Sequence, residues 1–119
     1  MKRHGLARRE RLLRERDFEA TYRARRSVSD ERLVLYVRAN GLPYSRIGSS
    51  VSGRWGNSVE RNYFRRLCRE AFRLHKQELP KGCDFIVIPR RGIDQTLAEV
   101  ADSLIGLANR ASGGETQTK

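Results

Sequence analysis

The chain has 119 residues, of which 38% are hydrophobic and 33% charged, so it can bury one modest core and has no room for two ordinary domains. Its 25 Lys and Arg residues outnumber 14 Asp and Glu, and the formal net charge of +11 predicts a polyanionic partner, with nucleic acid as the leading class. No apolar run approaches the ~20 residues of a membrane span, and no signal-peptide pattern follows the basic N-terminus, so we expect a cytoplasmic protein without a membrane partner.

The first 23 residues divide into a basic segment and a short helix. Residues 1–16 carry seven Lys and Arg side chains with little apolar content beyond three leucines, which predicts a flexible N-terminal arm that phosphate contacts could order. An amphipathic helix is expected from Asp17, because Asp17 can cap it. Phe18 and Tyr22 then recur at the four-residue spacing that places both rings on one helix face.

Two strands are predicted next. Residues 33–37 are rich in aliphatic and β-branched side chains, with Tyr36 on the face opposite Leu35. Turn-forming residues 40–43 separate them from a second strand over residues 46–52, in which Ile47 and Val51 point one way and polar residues the other. The pattern predicts a sheet with one apolar and one polar face.

The strongest helix signal covers residues 58–76, and Asn57 with Glu60 has the spacing of a capping box. A short apolar strand over residues 85–88 follows, so strand, helix and strand indicate a βαβ unit. A last helix fits residues 94–109. Residues 111–119 are small and polar and are predicted to form a disordered tail, which leaves residues 17–110 as a single nucleic-acid-binding domain.

The central helix has two faces on a wheel of ~100° per residue. An apolar side is expected to pack on the sheet, and its members are Val59, Tyr63, Phe64, Leu67, Cys68, Ala71 and Leu74. Beside it is a basic ridge, which consists of Arg61, Arg65, Arg66, Arg69 and Arg73. Few carboxylates accompany these arginines, and like charges four residues apart repel mildly. A phosphate backbone explains the ridge better than a solvated face balanced by ion pairs does.

The segment over residues 56–73 resembles the signature helix of the bacterial ribonuclease P protein family, whose members help a catalytic RNA remove 5′ leaders from precursor tRNAs. The surrounding predicted strands fall in the family's order and approximate spacing, so the resemblance covers about residues 8–108. The family's Arg-Asn-Arg core stands here with Tyr63 in its third place. A basic residue is usual where Gly53 stands, and an apolar one where Ser49 stands.

The resemblance implies an α/β fold, a two-layer sandwich of ribosomal protein S5 domain 2-like type. The implied order is α-β-β-β-α-β-α, with a left-handed βαβ crossover. It also implies two RNA-binding sets and no catalytic residue. The set that docks on the catalytic RNA matches Arg61, Asn62, Arg65, Arg66 and Arg69. The cleft for the single-stranded 5′ leader matches Phe18, Tyr22, Tyr36, Arg46, Ser50 and Ser52.

Three alternatives stay open from the residues alone. Phe18, Tyr22 and Tyr36 could pack in the core instead of stacking on bases, and Trp55 could do either. The charge would also suit a ribosomal or other structured-RNA-binding protein. A nuclease that works without RNA would need gathered carboxylates, but these are scattered along the chain.

The residue types predict no metal site and no cofactor bound by the protein alone. His4, His75, Cys68 and Cys83 lack metal-ligand spacing, and both cysteines are expected to be reduced thiols. We therefore expect the Mg2+ that the holoenzyme requires to act through RNA. The expected partners are the catalytic RNA and precursor tRNA, and not DNA.

Overall fold

The computed structural model describes residues 6–90 and 94–112. Its elements, in chain order, are α1 (Glu15–Arg23), β1 (Ser27–Ser29), β2 (Leu33–Ala39), β3 (Arg46–Ser49), α2 (Ser58–Leu74), β4 (Cys83–Pro89) and α3 (Leu97–Ser112), with 3-10 turns at Arg8–Glu10 and Lys76–Glu78. The predicted α/β class and the α-β-β-β-α-β-α order are confirmed. Within the described ranges, no helix is long and apolar enough to cross a membrane.

The four strands form one sheet in the order β1-β2-β4-β3. Strand β4 is antiparallel to β2 and parallel to β3. The β3–α2–β4 segment is therefore the predicted βαβ unit, in which a helix connects neighbouring parallel strands. The left-handedness of this connection stays a prediction.

Helices α2 and α3 cover one face of the sheet and enclose the core. Strand residues alternate between faces, so Leu35 and Val37 of β2 join Phe85 and Val87 of β4 against these helices, and all four are buried. The opposite face, which we call the outer face, carries Tyr36 and lies against α1.

The N-terminal segment differs from the predicted flexible arm. Leu6 and Leu12 are buried, and the amide of Leu12 donates to the carbonyl of Ile47 at 2.8 Å. From Leu6 onwards the segment therefore packs on the β3 edge of the sheet, because its leucines bury apolar surface there. Residues 1–5 lie outside the described part of the chain.

Helix α1 begins at Glu15, earlier than predicted. Arg14 occupies the N-cap position and has no capping side-chain hydrogen bond, whereas Asp17 lies within the first turn. The prediction of Asp17 as the cap was therefore wrong. Strand β3 is also shorter than predicted and ends at Ser49, although the amide of Ser50 still donates to the carbonyl of Val87 on β4.

Helix α2 starts at the predicted capping box. The amide of Glu60 donates to Asn57 Oδ1 and the amide of Asn57 donates to Glu60 Oε1, each at 2.9 Å. Its buried residues are Phe64, Leu67, Cys68, Ala71 and Phe72, which follow the i, i+3, i+4, i+7, i+8 series of a helix that packs on one side.

The predicted apolar side of α2 was therefore too broad. Val59, Tyr63 and Leu74 are 77%, 53% and 51% exposed. The buried stripe includes Phe72, which the prediction omitted, and leaves out Tyr63. Val59 and Leu74 lie near the two ends of the helix, outside the series of buried positions.

Helix α3 begins at Leu97 because a second capping box precedes it. The amide of Glu99 donates to Thr96 Oγ1 at 3.2 Å, and the amide of Thr96 donates to Glu99 Oε1 at 3.0 Å. The helix ends at Ser112, and Ala111 is buried in the core. The folded domain therefore extends past residue 111, where the tail was predicted to begin. Residues 113–119 lie outside the described part of the chain.

Candidate RNA interface

The basic ridge on α2 contains arginines in different electrostatic situations. Arg73 is neutralised by Glu70, with Nη2 to Oε1 at 2.8 Å. Arg61 donates to the carbonyl of Gly56 at 2.6 Å. Within the described part of the chain, Arg66 and Arg69 have no hydrogen-bond or ion-pair partner. The uncompensated charge therefore lies in the middle of the helix.

A cavity of about 210 Å³ lies between the N-terminal segment, β3 and α2. Arg11, Arg65 and Arg69 line it, together with apolar and small residues and no carboxylate. Burial, together with the nearby charges of Arg11, Arg65 and Arg66, holds the pKa of the Arg69 guanidinium below its usual range. Arg11 Nε is buried without a hydrogen-bond partner among the described residues. Such a cavity favours an anion. Arg11 was not among the predicted RNA-binding residues.

The outer face presents its side chains in rows across β2, β4 and β3. The first row is Arg38, Asp84 and Arg46, the second is Tyr36, Ile86 and Gly48, and the third is Val34 and Ile88. Helix α1 contacts the first two rows through Asp17, Phe18 and Tyr22. The outer face is therefore charged at one end and aromatic in the middle.

A buried carboxylate organises the first row. Asp84 has no exposed side-chain surface. It accepts from Arg46 Nε at 2.8 Å, Arg46 Nη2 at 2.7 Å, Arg38 Nη2 at 2.6 Å and Asn40 Nδ2 at 2.9 Å. Burial by itself would raise the pKa of Asp84, but the hydrogen bonds from Arg46, Asn40 and Arg38 together lower it below its ordinary value.

We call Asp84, Arg38, Arg46, Asn40 and Asp17 the Asp84 cluster. Asp17 belongs to it because its carboxylate lies 3.5 Å from Arg46 Nη1 and 3.7 Å from Arg38 Nη2. Arg46, which the family resemblance assigned to the leader cleft, is thus bound inside the protein through most of its guanidinium. Hydrogen bonding to Asp84 raises the pKa of Arg46.

The predicted aromatic residues meet on the outer face. The rings of Tyr22 and Tyr36 are 4.9 Å apart at 75°, an edge-to-face arrangement. Phe18 packs on Gly48, where a Cβ would lie 2.7 Å from Phe18 Cζ. Phe18, Tyr22 and Tyr36 are half-buried, so these rings are neither enclosed in the core nor fully free.

The two predicted serines lie just after the end of β3. Ser50 and Ser52 line a cavity of about 320 Å³ with Arg54, Trp55 and Ile88 among its other walls. Trp55 also packs against Phe64, with ring centroids 5.6 Å apart, so it borders both the cavity and the core. Arg54 lines the same cavity but was not among the predicted leader-cleft residues, although it lies only two positions after Ser52.

Comparison with known proteins agrees with the sequence signature. A family model described as Ribonuclease P matches residues 6–112. The ribonuclease P protein component of Thermotoga maritima is 38% identical over 114 residues, which cover 92% of this chain and 97% of that protein. The corresponding component of Clostridium acetobutylicum is 38% identical over 104 residues, covering 85% of this chain and 87% of that one.

Solved structures show the same fold. The RNase P protein from Thermotoga maritima matches with a TM-score of 0.75 at 36% identity, covering 85% of this chain and 96% of that one. The RNase P protein of Staphylococcus aureus also matches with a TM-score of 0.75, at 33% identity, covering 87% and 95%. The fold, the signature helix and these relatives together place the chain in the bacterial ribonuclease P protein family, as the protein subunit of a ribonucleoprotein endoribonuclease.

Proposed function

We propose that this protein docks on the catalytic RNA of ribonuclease P through Arg61, Asn62, Arg65, Arg66 and Arg69, and that it holds the single-stranded 5′ leader of precursor tRNA on its outer face. It thereby assists endonucleolytic removal of the leader. The observation that carries the proposal is the presence of two chemically different surfaces on one domain. One is a helix with uncompensated arginines in its middle, and the other is a half-buried aromatic face.

The cationic helix suits the phosphates of a folded RNA. A guanidinium can engage two phosphate oxygens at once and can also stack on a base. The cavity lined by Arg11, Arg65 and Arg69 brings three guanidinium groups together without a carboxylate in its lining. A phosphate there would relieve the repulsion among them, which supports docking of RNA along the middle of α2.

The aromatic face suits an unpaired strand. Bases stack on aromatic rings with little sequence preference, at about 1–3 kcal/mol for each base, and the leaders of different precursors need no common sequence to bind in this way. Tyr22 and Tyr36 offer ring surface, and Ser50 and Ser52 offer hydroxyl groups farther along the same face. Arg46 lies at the charged end of this face, where Asp84 holds its guanidinium in place.

The described carboxylates do not suit a catalytic metal site. No group of three His, Cys, Asp or Glu side chains within the described residues could hold a metal ion. The most buried carboxylate, Asp84, is enclosed by guanidinium and amide donors. We therefore propose that the Mg2+ of the holoenzyme is held by RNA phosphates, and that the protein contributes binding and orientation.

Replacing Tyr36 by Ala tests the leader site. We expect the variant holoenzyme to bind a precursor with a 5′ leader about 10-fold more weakly, because one stacking surface is lost, and to bind mature tRNA as before. The matched control is Tyr44→Ala, which removes a half-buried tyrosine that contacts Arg9 and is not part of the Tyr22–Tyr36 pair. Circular dichroism of both variants monitors the fold. Equal losses on precursor and mature tRNA would exclude Tyr36 from a leader site.

A further inference from the structure

The two arginines of the Asp84 cluster hold carboxylates on two sides, and the two sides differ in geometry. On the inner side, the distances from Asp84 to Arg38 and Arg46 are 2.6–2.8 Å, as in charge-assisted hydrogen bonds of ~2.7–2.9 Å. On the outer side, Asp17 lies at 3.5 Å and 3.7 Å from the nearest guanidinium nitrogens. Asp84 is bound firmly, whereas Asp17 is held loosely.

Solvent reaches the outer carboxylate and not the inner one. The Asp84 side chain is fully buried, while those of Asp17, Arg38 and Arg46 are 19%, 26% and 18% exposed. Asp17 lies in the first turn of α1, directly before Phe18. It is therefore next to the aromatic surface on which the leader is proposed to stack, and an approaching strand could reach both guanidinium groups from this side.

The charges of the cluster balance as they stand. Two arginines face two aspartates, so an additional phosphate would gain little from a cluster that is already neutral. Exchanging the carboxylate of Asp17 for one phosphodiester, which also carries a single negative charge, would keep the balance. The contacts of Asp17, at 3.5 Å and 3.7 Å, are longer than those of Asp84, so displacing Asp17 costs less than breaking a contact to Asp84 would.

We propose that Arg38 and Arg46 form a phosphate-binding site for single-stranded RNA and that Asp17 competes for it from within the protein. A backbone phosphate displaces the Asp17 carboxylate from the two guanidiniums, while Asp84 keeps both in place. This inference rests on the proposed leader site. It makes Asp17 a specificity-determining residue, because a strand that does not also stack on the rings has to displace Asp17 without that compensation.

The sharpest test is Asp17→Asn, which removes the charge and keeps the shape. The matched control is Glu19→Gln, which removes one negative charge from an exposed position of the same helix. Affinity of the reconstituted holoenzyme for precursor tRNA is measured at several salt concentrations. We expect Asp17→Asn to bind the precursor about 3-fold to 10-fold more tightly than Glu19→Gln does, because the phosphate no longer has to displace a carboxylate. The salt slopes of the two variants should be similar, because the same phosphate is bound in both.

The gain has to act through the arginines. In the double variant Asp17→Asn with Arg38→Gln, the gain in affinity should disappear, because one of the two phosphate ligands is gone. A residue that only holds α1 in place would behave in the opposite way, since its loss would weaken binding. Precursor affinity in Asp17→Asn that is equal to or below that of Glu19→Gln therefore overturns the inference.

A second measurement needs no variant. In the unmodified protein, the guanidinium nitrogen signals of Arg38 and Arg46 should shift on addition of a short oligouridylate, while those of Arg73, which is paired with Glu70, should not. Signals of Arg38 and Arg46 that stay unchanged at saturation would refute the site. The Tyr36→Ala experiment separates the two proposals. Equal losses on precursor and mature tRNA in Tyr36→Ala refute the leader site and this inference with it. A loss confined to the precursor, together with equal precursor affinities of Asp17→Asn and Glu19→Gln, refutes only this inference.

Discussion

The charged end of the outer face depends on one fully buried side chain, Asp84, whose carboxylate holds the neighbouring side chains in position. Its two oxygens accept from both arginines of the first row and from Asn40. Removing one partner of a buried ion pair is costly because it leaves the other charge without compensation. In the proposed RNA binding, Asp84 would therefore act only indirectly, by keeping Arg38 and Arg46 in position.

Asp84→Asn is expected to reduce the free energy of unfolding by about 3 kcal/mol at neutral pH. This is the low end for a broken buried pair, because both arginines keep some contact with solvent. The folded state lowers the pKa of Asp84 below its ordinary value of 3.8. The stabilisation is therefore present at neutral pH and is lost as pH falls through that lowered pKa.

Urea denaturation at neutral pH and at about pH 2 measures this effect. The difference between the wild-type protein and Asp84→Asn should shrink at the lower pH. Asp102→Asn, at an exposed position of α3, controls for the loss of one charge and should change little at either pH. A difference that stays constant from neutral pH to acid would mean that the Asp84 charge is not the source of stability.

At the scale of elements, helix α2 both packs on the sheet and carries the basic ridge, and different positions of its sequence serve the two roles. Its capping box starts the helix at Ser58, and its buried stripe fixes the rotation of the helix on the sheet. With that rotation, Arg65 and Arg69 line the cavity that Arg11 completes from the N-terminal segment. Crowding of these cations is unfavourable in the free protein, and binding of an anion would relieve it.

Replacing both Arg65 and Arg69 by Ala should weaken binding to the catalytic RNA and reduce the slope of log affinity against log salt by about 1.5, since two phosphate contacts are lost. The free energy of unfolding should stay unchanged or rise slightly, because the repulsion between like charges is removed. The single variant Arg73→Ala is the control, since Glu70 already neutralises Arg73, and its slope should change less. A slope that does not change in the double variant would show that the middle of α2 does not face the RNA.

For the whole molecule, the formal charge of +11 and the two surfaces favour a protein that binds RNA and leaves chemistry to its partner. Phosphodiester hydrolysis requires activation of a water and stabilisation of the leaving oxygen, usually by metal ions held by several anionic ligands. A strongly cationic surface repels free Mg2+, whereas RNA phosphates attract it. The protein would act by screening charge and by positioning the substrate.

The purified protein with Mg2+ is therefore expected to cleave no precursor tRNA. Cleavage should appear when the catalytic RNA is added, at a lower Mg2+ concentration than that RNA needs alone. Single-turnover cleavage by the protein, by the RNA and by both together measures this. Site-specific 5′ processing by the protein alone, abolished in Asp84→Asn, would contradict the proposed division of roles.

Much of this protein could be predicted from the sequence because the relevant signals are local. Helical periodicity, the Asn57–Glu60 capping box and the four-residue spacing of the ridge involve residues within one or two turns of each other. The three helices and three of the four strands followed from these signals, whereas the complete α-β-β-β-α-β-α order came from the family resemblance, which rested on the same helix. The candidate aromatic residues were also found in this way, since alternation along β2 places Tyr36 opposite the core face.

Only the tertiary structure decided which of these residues meet. Arg46 and Asp84 are 38 positions apart in sequence, and no local pattern indicates that the second would bind the first. Leu6 and Leu12 are buried because the edge of β3 is open to them, which a count of basic residues could not reveal. Tyr63 is exposed because the stripe that packs on the sheet runs from Phe64 to Phe72. Periodicity determines which residues share a face, but only packing against the rest of the chain determines which part of that face is covered.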